Sequence, residues 1–225
     1  MSSAPQVHIG KLTDEHLHAR HILPLPSDTP FGNLALKFLK LIERLDHSNR
    51  TIKRVYASFE GISRVAITPN LTEHLLLQEE VVYWLRKSCD ELISLNTVIA
   101  RCRVSGAYPT AVNPDSIGAL LAIEPLPPYA AEHATFLSTI NDIANAYKHS
   151  FINSEINRIG AEEPVVFALG LKRNSLANVP TFYTVSLRDV IEQFNMFYLS
   201  SVEELRASKL PHLTSPSKGQ TPASC

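Results

Sequence analysis

LTEHLLLQEEVVYWLRKSCDELISLNTVIARCR, residues 71–103, runs without a glycine or a proline. Leu75, Val82 and Cys89 alternate with Leu85, Leu92 and Ile99 at heptad spacing, and Leu77, Val81, Trp84, Leu95 and Val98 widen the apolar face. A face that wide has to be covered from more than one side. At 1.5 Å per residue the helix is about 50 Å long. Pro69, Asn70 and Glu73 open it with a near capping box, and Gly106 and Pro109 close it. A long rod buried on several sides calls for other helices, and the rest of the chain supplies them.

Upstream, Thr29 reads as an N-cap with Pro30 at the first helical position. Phe31, Leu34, Ala35, Phe38, Leu41, Ile42 and Leu45 then recur at three- and four-residue steps. Ile52, Val55 and Phe59 continue the pattern to Gly61. His47, Ser48 and Asn49 are where this helix would divide in two. Downstream, Asn113-Pro114-Asp115 starts a short helix to about Ile123, and Glu124 to Tyr129, with three prolines, is a stiff connector.

The period changes after residue 160. Val165, Phe167, Leu169 and Leu171 alternate with Val166, Ala168 and Gly170, and Thr181, Tyr183 and Val185 alternate after an asparagine-containing break. This reads as a β-hairpin, about 165–185, that has to lie on the helices. Ser186-x-x-Asp189 caps a last helix with Leu187, Val190, Ile191, Phe194, Phe197, Tyr198, Val202 and Leu205 on one stripe. The fold expected is mainly α: one helical bundle of four long helices with a small β-hairpin before the last. Residues 1–28 form an irregular arm, 29–208 the bundle domain, and 209–225, rich in Pro, Ser and Thr, a disordered tail.

Composition narrows the classes. Of the 225 residues 44% are hydrophobic and 19% charged, enough for a large core. The net charge of −1 argues against a general nucleic-acid coat. Three cysteines, Cys89, Cys102 and Cys225, without a CxxC spacing argue for a reducing compartment, and the first two fit a helix core. No apolar run reaches the roughly 20 residues of a membrane span, and no apolar signal core opens the chain. The expected location is cytoplasmic, with no membrane association. His16, His18 and His21 have no strand to align them, and His74 has no second histidine one turn away, so no metal site and no cofactor are expected. Eight scattered glycines make no phosphate loop. Glu162 and Glu163 read as solvated, Lys172 and Arg173 as edge residues of the hairpin turn, and Arg101 and Arg103 as complements of a helix C-terminus.

One helix offers chemistry. In HATFLSTINDIANAYKHSFINS, residues 133–154, Phe136, Leu137, Ile140, Ile143, Ala144, Tyr147 and Phe151 share one arc. Asn141, Asn145, Lys148 and His149 share the opposite one, with Asp142 at its edge. These four are the candidate binding residues, and His149 and Lys148 the candidate catalytic pair. The bland alternative is a solvated face, or one hydrogen-bonded to the hairpin.

An Asn-x3-Asn-x2-Lys-His helix late in a bundle, followed by a long final helix, resembles the HEPN superfamily (higher eukaryotes and prokaryotes nucleotide-binding). Active members of that family are metal-independent ribonucleases of toxin–antitoxin, phage-abortive and CRISPR systems. They share an arginine, four to six positions and a histidine on one helix. His149 matches the histidine, and Asn145 matches the polar residue that often precedes it by a turn. Asp142, Ile143 and Ala144 stand where the arginine would be. The resemblance implies a non-catalytic module binding a partner protein, a nucleotide or RNA through Asn141 to His149, with a homodimer among its partners. The alternative it implies is a ribonuclease using His149 with Lys148, its missing charge supplied by Arg158, Lys172 or Arg173.

Overall fold

The computed structural model describes residues 3–8, 23–62, 71–149, 162–171, 175 and 177–208. Its elements, in order, are α1 (Leu34–Ile62), α2 (Leu71–Ser105), α3 (Ile117–Leu121), α4 (Pro128–Ala131), α5 (Ala134–His149), β1 (Val165–Gly170), β2 (Thr181–Ser186) and α6 (Leu187–Ala207). The mainly helical bundle with a hairpin before its last helix is therefore present. The 209–225 tail, the 16–21 histidine run, the Pro69–Asn70 cap, Phe151, Arg158, Lys172, Arg173 and Cys225 lie outside the described residues.

α2 is the axis. Helices α1, α5 and α6 all pack on it, which is why its apolar face is so wide. Val81, Val82, Leu85, Cys89, Leu92 and Ile93 have no exposed surface. It stops at Gly106, whose φ of +71° suits a residue without Cβ, and the Gly106 amide donates to the Cys102 carbonyl at 2.9 Å.

α1 is one continuous helix of 29 residues antiparallel to α2. His47 to Asn49 do not divide it. The Ser48 hydroxyl turns back to the Arg44 carbonyl at 3.0 Å and Ser48 is fully buried. Three cross-links run down the pair: Arg44–Glu91 at 2.6 Å, His47–Glu80 at 2.7 Å and Arg54–Glu73 at 3.2 Å. The start differs from the sequence expectation. Thr29 closes a tight turn with Gly32, and Asn33 is the cap, its side-chain oxygen accepting the Leu36 amide at 2.9 Å. Likewise Ser116, not Asn113, caps α3, accepting the Ala119 amide. The connector expected from Glu124 to Tyr129 tightens into the short helix α4, which packs on α6.

The N-terminal arm is irregular but docked at both described pieces. Val7 and Leu23 are buried in the core. Two side-chain amides hold residues 6–8 as a strap. Asn49 accepts the Val7 amide at 2.7 Å and donates to the Val7 carbonyl at 3.1 Å. Asn195 accepts the His8 amide at 2.8 Å and donates to the Gln6 carbonyl at 2.9 Å. Asn49 thus pairs with both backbone groups of Val7, and Asn195 with the backbone groups on either side of it.

β1 and β2 pair antiparallel, from Val165 opposite Ser186 to Gly170 opposite Thr181. Val166 and Ala168 face the core, while Phe167 meets Phe182 on the outer side with ring centres 6.1 Å apart. The hairpin packs on α5 through β1 and on α6 through β2. Glu163, expected to be solvated, is instead a fastener. It accepts the Ser186 hydroxyl at 2.7 Å and Arg188 Nε at 2.9 Å. Ser186 caps α6 by accepting the Arg188 and Asp189 amides. Phe194 and Phe197 are fully buried. Phe197 gathers Tyr129, His133 and Phe136 around it, joining α4 and α5 to α6.

Candidate functional site

α5 divides as its sequence divides. Phe136, Leu137, Ile140, Ile143 and Ala146 are buried. Beside this face, Asp142, Asn145 and His149, with Ala146 at the boundary, form one wall of a cleft of about 570 Å³. The opposite wall is the hairpin: Gly170 and Leu171 at the end of β1, then Asn178, Val179, Thr181 and Tyr183. A Cβ on Gly170 would come within 3.2 Å of Tyr183 Cε2, so the tyrosine ring lies close over bare backbone there. Its hydroxyl donates to Asp142 Oδ2 at 3.3 Å across the cleft. Burial, and then the Asp142 charge, raise the Tyr183 pKa, so the ring stays a neutral donor.

The four candidate residues do not stay together. Asn145 and His149 line the cleft, both exposed. Asn141 lies half-buried at the α2 side and accepts from Arg86 at 3.4 Å. Lys148 is exposed and is not among the cleft-lining residues. The helical wheel explains the split. Asn145, His149 and Asp142 lie within about 60° of one another, while Asn141 and Lys148 lead them by 40° or more. Asp142, assigned to the edge of the polar arc, is central to the cleft.

Sequence reasoning did not find the hairpin wall. Its signal was there in part: Thr181 and Tyr183 share one phase of β2, the phase that faces α5. It also missed the buried polar residues of α2. Asp90 accepts the Ile117 amide at 2.9 Å and pairs with Arg86 at 2.9 Å. Burial raises its pKa against the pull of these two partners. His74 is buried with its Nδ1 2.8 Å from the Ser58 hydroxyl, and desolvation lowers its pKa to about 4. Cys89 is fully buried and its thiol is pushed well above the ordinary value by desolvation, so it serves as a small apolar residue and not as a nucleophile.

Among the described residues no three His, Cys, Asp or Glu side chains come together as metal ligands, and no helix is long and apolar enough to cross a membrane. The class defined is a helical bundle with a two-stranded hairpin laid against α5 and α6, and a polar cleft between α5 and the hairpin. Comparison with models of known families, with curated proteins and with solved structures finds no match to this chain.

Proposed function

We propose that the protein is a HEPN-like binding module without catalytic activity, and that the cleft between α5 and the hairpin is its working surface. The observation that supports this most is the make-up of the cleft. Two amides (Asn145 and Asn178), the His149 imidazole, the Thr181 and Tyr183 hydroxyls and the Asp142 carboxylate surround one volume. Amide, imidazole and hydroxyl groups both donate and accept, so they read the hydrogen-bonding edges of neutral groups. The backbone of a partner protein offers such edges, as does a nucleotide or a single-stranded RNA segment that turns its bases inward and leaves its phosphates outside the cleft; RNA is tested first because it separates binding from cleavage.

The charge balance of the cleft argues against cleavage. Metal-free cleavage of RNA needs a proton acceptor at the 2′-hydroxyl and a positive group at the phosphate. His149 can fill the first role. Among the described lining residues there is no lysine or arginine for the second, and Asp142 adds a negative charge. Lys148 supplies a point charge beside His149 rather than an arginine fork. A ribonuclease reading therefore requires charge from elsewhere, such as a second copy of α5 across a symmetric dimer. The free, buried thiols of Cys89 and Cys102 are in keeping with a cytoplasmic protein.

The test uses end-labelled single-stranded RNA with the full chain in EDTA. Binding without cleavage, weakened in Asn145→Ala and His149→Ala, is the expected result. Cleavage that survives EDTA and disappears in His149→Ala would overturn the non-catalytic reading. Neither binding nor cleavage would remove RNA as the occupant.

A further inference from the structure

A second groove, sharing no residue with the first, runs between α1 and α2 and measures about 440 Å³. Its floor is apolar: Leu34, Leu95 and Val98 are buried there, and Phe31 and Val112 are half-buried at its end. Its rim is basic. Lys37, Lys40, Arg44 and Lys87 line it against a single carboxylate, Glu91. Four cations less one anion leave three net positive charges, on a chain whose net charge is −1.

The charges are not equally committed. Glu91 is held by Arg44 at 2.6 Å and faces Lys87 at 4.0 Å. The Arg44 guanidinium also sits over the Trp84 ring, 5.3 Å from its centre, which fixes its place. Lys37 and Lys40 are exposed and stand three residues apart on the same face of α1. Like charges at that spacing repel, and an anion between them relieves the repulsion. Long, flexible lysines over an apolar floor can close on a charged head while their stems cover its apolar body.

We propose that this groove binds a small amphipathic organic anion, its acidic head between Lys37 and Lys40 and its apolar body against Phe31 and Val112, above the Leu34, Leu95 and Val98 floor. The volume falls in the range of small-molecule sites, which bury most of such a ligand. The apolar floor gives it no use for a bare inorganic ion. The short run of cations is too small a track for a nucleic-acid backbone, which needs many phosphate contacts.

The probe is 8-anilinonaphthalene-1-sulfonate, an aromatic body with a sulfonate head, titrated into the full chain. Saturable binding with a rise in fluorescence is expected. Lys40→Glu should weaken it about tenfold, the worth of one charge-assisted contact. Lys53→Glu, the same charge change elsewhere on α1, should leave it unchanged, with melting curves confirming that both variants fold. Octanoate and phenyl phosphate, added as competitors, tell an acyl carboxylate from an aryl phosphate, and displacement by either supports the site. The proposal is overturned by non-saturable binding, by indifference to Lys40→Glu, by equal loss in Lys53→Glu, or by displacement by inorganic phosphate as effective as by the amphipathic competitors. Displacement by RNA with a steep salt dependence would replace the small anion with a polyanion and overturn it as well.

Discussion

Helices α2 and α5 both carry polar residues among apolar ones, and the two sets meet opposite fates. Along α2 several polar groups are buried and engaged with other parts of the chain. Gln78 donates to the Val165 carbonyl of β1 at 3.2 Å, and Asn96 to the Ser201 carbonyl of α6 at 3.2 Å. Thr97 donates to the Pro114 carbonyl at 2.9 Å, and Asp90 holds the first turn of α3. Each ties the axis to a different neighbour. Along α5 the apolar side is covered in the same way, but Asp142, Asn145 and His149 border an open cleft. Buried polar groups need partners, and α2 finds most of them in the protein, Arg86 Nε and Asn96 Oδ1 being the exceptions among the described residues. On α5, Asp142 has such a partner in the Tyr183 hydroxyl, while Asn145 and His149 stand exposed on the cleft wall. What lies over a polar residue on a helix, and not its type alone, decides whether it is tied into the fold.

That contrast breaks first, and hardest, at Asp90. Replacing it with alanine strips the Ile117 amide of its acceptor and leaves Arg86 without its carboxylate. Asp90 is itself largely buried, and Arg86 Nε is already buried without a partner. Because Arg86 retains 28% side-chain exposure, part of its charge is solvated, which lowers the cost below that of a fully buried pair. Asp90→Ala should therefore destabilise by about 2–4 kcal/mol, measured by urea unfolding. A loss under about 0.5 kcal/mol, the range of an ordinary surface site, would show that α2 tolerates polar deletions as α5 is expected to.

A smaller effect is set by pH. His74 is buried as the neutral imidazole, its pKa lowered by desolvation to about 4, with the Val55 carbonyl offsetting part of the shift. In the unfolded chain it titrates near 6.5. Between these values the unfolded state binds the extra proton, so stability rises with pH. The contribution of neutral His74 is complete above about pH 6.5 and is lost as pH falls toward 4. Burial lowers the His133 pKa too, with the same sign. The His74→Phe variant, packed beside Phe59, should lose the Ser58 bond, at about 1 kcal/mol near neutral pH. Its melting temperature should then fall less steeply than that of the wild type from pH 6.5 to 4, with His133 leaving a residual slope. Parallel profiles would mean that His74 takes up its proton inside the fold without penalty.

How much of this was legible follows from the range of each cause. The helices were readable because burial repeats every three or four residues, and an uninterrupted run such as 71–103 leaves no other choice. The hairpin was readable because its period differs. Caps were half-readable: Ser186 was identified, but Thr29 and Asn113 lost to Asn33 and Ser116, since several capping types stood within a few residues and only backbone direction chooses among them. The Val7 strap gave no signal, because one buried residue has no period. The cleft was readable from one side only. Asn145 and His149 announce themselves by helical spacing, whereas Asn178 and Tyr183 come from a loop and a strand that no local pattern links to α5. Arg86 and Asp90 are hard to read for a related reason. An Arg and an Asp four residues apart look like an exposed helix pair until α3 and Asn141 are brought against them.

The smallest expected effect on stability sharpens the comparison most. Asn145 is exposed and helical. Asparagine is a poorer helix former than alanine, because its side chain competes for backbone bonds and loses rotamer freedom. If Asn145 is kept for a ligand, Asn145→Ala should leave stability unchanged or raise it by up to about 0.5 kcal/mol. Asn141→Ala, one turn earlier, gains the same helix propensity but removes the 3.4 Å contact with Arg86, so it should be the less stable of the two variants. The order of the two variants carries the information. A residue that stabilises nothing, and that a better helix former would improve, needs another reason to stand on a cleft wall. If Asn145→Ala instead costs more than about 1 kcal/mol, the amide is fastening α5 to the hairpin. Its role would then be that of Gln78 or Asn96, and α5 would be a second structural helix rather than one that faces a ligand.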